Sequence, residues 1–162
     1  MRTYLALFIA VLLALTLGTA CDSDSPTDRG ATSLPIETLA KFSSSGYAEP
    51  QRLAIDDADE LERVWQITTA GQSPPPPLPP VDFGSKMVVL AAAGGPGNGC
   101  HSIEVTAATA TPAGVLEVEV TETVPGPNCV CTAVATQPVH LVALPRVQGR
   151  KVFLDQTRVL SC

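Results

Sequence analysis

The chain has 162 residues, 45% of them hydrophobic, with sixteen acidic side chains against ten basic ones and a formal net charge of −6. That balance argues against nucleic acid as a partner and against a purely electrostatic hold on anionic lipid. The length suits a single domain able to bury a real core.

Residues 1–20 read as an export signal. Arg2 supplies the positive start, residues 4–17 form an uncharged, mostly apolar run, and Gly18-Thr19-Ala20 form a small-residue cleavage site. The run is too short to span a bilayer comfortably, which takes roughly 20 apolar residues. Cys21 follows at once, as in bacterial lipoproteins. The expected product is therefore a lipoprotein, held to a membrane by lipid on Cys21 and exposed in the periplasm or outward from the cell envelope. Gly18 stands where that pattern has Leu, and the same three small residues also fit ordinary signal-peptidase cleavage, which would give a secreted chain. Residues 21–35 are rich in Ser, Asp, Thr, Pro and Gly and read as a flexible tether, with one globular domain expected over 36–162.

Within that domain, residues 36–42 and 52–55 predict short strands around a Ser/Gly turn. Asp57 with Glu60 three residues on has capping-box spacing, and Leu61, Val64 and Trp65 then form one apolar stripe. That predicts a helix with Trp65 as its core anchor. Residues 72–80, QSPPPPLPP, exclude helix and read as a stiff extended connector. The uninterrupted apolar run at 86–92 predicts a central strand buried on both faces. Gly94-Gly95-Pro96-Gly97-Asn98-Gly99 lacks the Lys and following helix of a phosphate cradle and reads as a mobile turn. Ile103, Val105 and Ala107, then Leu116, Val118 and Val120, alternate with polar residues about a turn at 111–114, the pattern of a hairpin with one wet face. Residues 130–144 predict a strand interrupted at Pro138, and 150–154 the last one. The sum is an α+β fold, mostly antiparallel sheet of meander or sandwich-like form with one packed helix, stabilised by disulfides.

Four further cysteines, Cys100, Cys129, Cys131 and Cys162, read in an exported chain as two disulfides. Cys129 and Cys131, one residue apart, would point to one face of a strand. A bond between them would be strained, so each is expected to take a distant partner, one Cys100 and the other Cys162. The pairing stays open at this stage. In a meander all four would gather at one end of the sheet. The alternative is a secreted binder of a small ligand or metal using this Cys/His end, with His101 and His140 beside the cysteines, although the spacing is not that of structural zinc. A thiol enzyme pairing Cys100, Cys131 or Cys162 with His140 is a third reading, which oxidation of the thiols would silence. Ser102 beside His101 sits outside a nucleophile-elbow pattern, and Glu117 with Glu119 reads as the solvent side of a strand. No pattern calls for a cofactor or a catalytic residue.

From the helix onward the chain resembles the PrcB C-terminal domain family. The likeness lies in order and spacing: Val64-Trp65, then Val81-Asp82-Phe83, Met87-Val88-Val89, Ser102-Ile103-Glu104-Val105, Leu116-Glu117-Val118-Glu119-Val120, Val124-Pro125-Gly126-Pro127-Asn128-Cys129, Thr136-Gln137-Pro138-Val139-His140-Leu141-Val142 and Val152-Phe153. It covers roughly residues 53–154. Cys100-His101 stands where the family continues its Gly-rich loop with Gly-Tyr, and Cys131 and Cys162 look like additions. The resemblance implies an exported module that binds or stabilises a partner protein, in some members a protease, and it carries no catalytic motif.

Overall fold

The computed structural model describes residues 30–162. Cys21, the expected signal and the tether up to residue 29 lie outside the described residues. Two four-stranded sheets face each other. One runs β1 (Thr32–Ser33), β5 (Ser102–Ala110), β6 (Leu116–Pro125), β8 (Lys151–Leu160); the other runs β2 (Glu37–Phe42), β7 (Val139–Pro145), β4 (Lys86–Ala92), β3 (Gln51–Ile55). Among the described residues a single helix, α1 (Ala58–Thr68), covers the far side of the second sheet. Among the described residues no helix is long and apolar enough to cross a membrane.

The helix forms where its sequence signals place it. The Asp57 carboxylate accepts the Glu60 backbone N–H at 2.8 Å, satisfying one orphan donor of the first turn. Leu61, Val64 and Trp65 then bury against Val88, Leu90 and Leu141 of the sheet. Trp65 is a core anchor: Phe42 meets it edge-on at 6.4 Å, and its indole N–H donates to the Pro76 carbonyl. The proline-rich connector is thereby fastened to the helix it follows.

β4 explains its own sequence. Met87, Val89 and Ala91 face the first sheet, while Val88, Leu90 and Ala92 face the helix. A strand between two layers has no wet side, so apolar residues run without alternation. β7 beside it repeats the arrangement.

Four expectations change. Pairing begins at Thr32, inside the segment read as tether, because Leu34 and Ile36 pack on the core and the Leu34 N–H donates to the Ala108 carbonyl. In β5 the buried residue after Val105 is Ala108 rather than Ala107, because a bulge between Val105 and Ala107 shifts the alternation by one. Residues 130–138 are not strand; the strand is only β7, since the preceding segment has no ladder to join and rests on the glycine loop instead. The last strand runs six residues past Leu154 and pairs with β6 in parallel; the expected α+β fold, mostly antiparallel with one packed helix, is found in its sandwich form with this one parallel pair.

Candidate functional site

The four cysteines gather at one end of the sandwich. β5 begins there, β6 ends there, and β8, parallel to β6, ends there too, with Leu160 opposite Pro125. Cys100 bonds Cys131 and Cys129 bonds Cys162, with Cα atoms 5.5 and 5.1 Å apart, ordinary for disulfides. Each of the close pair thus takes a distant partner. The two cysteines lie in a loop, not on a strand face, and the gathering follows from β8's parallel course rather than from a meander.

With its sulfurs in disulfides, this end offers no thiolate as ligand or nucleophile. His101 is held by Glu122, Nε2 to Oε1 at 2.6 Å. His140 is elsewhere, on β7 inside the sandwich and only 2% exposed. Its Nδ1 accepts the Val105 backbone N–H at 2.9 Å, so the ring proton sits on Nε2, which donates to Thr38 Oγ1 at 3.0 Å. Burial, then the nearby Lys41 ammonium, lower its pKa to about 4 despite the Glu104 carboxylate, which acts the other way. The structure therefore corrects both roles offered to His140: it is a neutral structural histidine that closes an open stretch of the β5 edge. Among the described residues no three His, Cys, Asp or Glu side chains gather as a metal centre. Ser102 is exposed beside a histidine already engaged with Glu122, and Glu117 and Glu119 lie on the outer face of the first sheet.

What this end does present is a stapled loop. Between Cys129 and Cys131, each tied to a different part of the fold, Val130 is fully exposed, and Val134 is 61% exposed. The loop is seated on the glycine segment, which is no mobile turn. Gly97 exchanges backbone hydrogen bonds with Thr136, and the Gly99 N–H donates to the Thr132 carbonyl. Gly95, Gly97 and Gly99, at every second position, turn bare backbone toward the stretch from Thr132 to Gln137. A Cβ would meet Gln137 Cγ at 2.6 Å from Gly95 and Thr136 Oγ1 at 2.7 Å from Gly97, and from Gly99 it would collide with the Thr132 hydroxyl. Sequence reading missed this; the period-two glycine spacing was the available signal.

At Gly97 the added carbon would also strike the His101 ring. Gly97→Ala should therefore displace His101 from Glu122 and lower stability by about 1–3 kcal/mol, as overpacking does. Denaturant melts and the His101 ring resonances check both. An unchanged ring environment would show that the close packing is not required.

The segment from β4 to the end of β7 holds the glycine loop, three of the four described cysteines and both histidines. Residues 87–145 match the PrcB C-terminal family model. The likeness read from the sequence is thus found again, over a narrower span: α1, β1, β2, β3 and β8 lie outside the match. Comparison with curated proteins and with solved structures gives no match.

Proposed function

We propose that this chain is an exported, non-catalytic module, anchored by lipid on Cys21 at a bacterial cell envelope, that binds or stabilises a partner protein. A protease complex is the partner that the family suggests. The observation that carries the reading is the stapled loop. Two disulfides hold a fully exposed valine in one place, which lowers the ordering cost of binding and suits an interaction surface more than a reaction centre. The anchor rests on the sequence of residues 1–21.

The test uses the native chain solubilised from membranes in mild detergent. A defined envelope protein should co-purify, and Val130→Asp should weaken that association about tenfold or more, as loss of a central anchor does. If no envelope protein co-purifies, or if Val130→Asp leaves the association intact, the binding role or its surface is wrong. Cys21→Ser should move the chain from the membrane to the soluble fraction; continued retention would refute the lipid anchor.

A further inference from the structure

The two sheets have four edges, and three of them are guarded. β1 is two residues long. β2 is broken by a bulge between Thr38 and Ala40, and its Glu37 and Lys41 are tied into ion pairs. β3 is five residues long, and Arg52 on it donates to the Gln51 and Ala92 carbonyls. Short strands, bulges and edge charges are the usual devices against unwanted strand addition.

β8 is neither short nor bulged; its charges at Lys151 and Asp155 are tied to Asp56 and Arg52 of the other sheet's side and leave the far half of the strand uncovered. It runs ten residues in unbroken register with β6, holds no proline, and has its one lysine at the first position. Its other side meets no strand among the described residues. Leu154, Val159 and Leu160 are exposed apolar side chains along it. The Cys129–Cys162 bond fixes the end that would otherwise fray, so the bare edge stays extended.

We propose that β8 pairs antiparallel with β8 of a second copy, about a twofold axis at Gln156, joining two four-stranded sheets into one of eight. The register with β6 puts Val152, Leu154, Gln156, Arg158 and Leu160 on one face. About that axis Val152 lies opposite Leu160 of the second copy, Phe153 opposite Val159, Leu154 opposite the aliphatic stem of Arg158, and Asp155 opposite Thr157. Two of these pairs, Val152 with Leu160 and Phe153 with Val159, are apolar on both sides, and no like charges are opposed. This self-complementarity is what favours a second copy over an extended segment of another protein at the same edge. The proposal is independent of the partner-binding reading.

Sedimentation of the exported, disulfide-bonded chain carrying Cys21→Ser, over roughly 1 μM to 1 mM, reads the association directly. The average mass should rise from one chain to two. Gln156→Lys and Gln156→Glu each set like charges opposite at the axis and should weaken association about fivefold. An equimolar mixture of the two should recover it, because opposite charges then meet. A chain that stays monomeric across the range overturns the proposal, including one whose edge serves a foreign strand. So does a dimer indifferent to both substitutions.

Discussion

Replacing Cys129 and Cys162 together by serine should lower the unfolding free energy by about 3–4 kcal/mol. The bond closes a loop spanning a sequence separation of 33, and the chain entropy it removes from the unfolded state is of that size. Its structural position adds to the effect. The loop contains all of β7 and β8, and among the described residues β8 has a strand neighbour on one side only, β6. Without the bond, the exposed half of β8 beyond Phe153 keeps its ladder and little packing. Amides from Asp155 to Leu160 should then exchange much faster than those of β4, which is buried on both faces. The matching pair Cys100→Ser with Cys131→Ser opens a loop of separation 31 and should cost a similar amount. Its damage falls instead on the seat of the stapled loop. Removing both bonds approaches the whole stability of an ordinary domain, about 5–15 kcal/mol. Urea melts of the oxidised, singly opened and fully opened chains check the series. A loss under about 1 kcal/mol for either pair would mean that the native contacts hold these ends without the sulfurs.

The parts legible in the sequence are those specified locally. The Asp57 cap, the Leu61–Val64–Trp65 stripe and the apolar run of β4 each state their structure within a dozen residues. The disulfide partners were narrowed by a local argument too, the strain of joining Cys129 to Cys131. What was not legible depends on distant neighbours. β8 carries Asp155, Gln156, Thr157 and Arg158 in succession, because an edge strand exposed beyond Phe153 needs no alternation there, and its parallel partner is fixed by a crossover the sequence does not announce. The bulge in β5 is equally silent. The Val105 N–H it leaves near an open edge is satisfied from another sheet, by His140.

That histidine was nevertheless findable. It stands alone in the apolar stretch Val139-His140-Leu141-Val142, and a lone polar side chain in a strand buried on both faces must find partners in the core. Its identity in turn sets a pH dependence. The folded pKa of about 4 lies below the ordinary 6.5, so the folded state prefers the neutral ring. The resulting stability is fully present above pH 6.5 and is lost as the pH falls from there toward 4, because the unfolded chain takes up the proton first. Across the window the loss is on the order of 3 kcal/mol. Protonation would place a proton on Nδ1 facing the Val105 N–H, so the charged ring has no acceptor to offer. The neighbours do not mask this. Glu104, bonded to Lys41, is held below its ordinary 4.5 and stays ionised through most of the window. Urea melts at stepped pH should therefore give a falling free energy between pH 6.5 and 4.5 in the native chain. His140→Gln keeps an acceptor for Val105 without a titrating group, and its slope there should be flattened whatever its stability at neutral pH. An equal slope in both chains would place the acid sensitivity elsewhere and sink this account of His140.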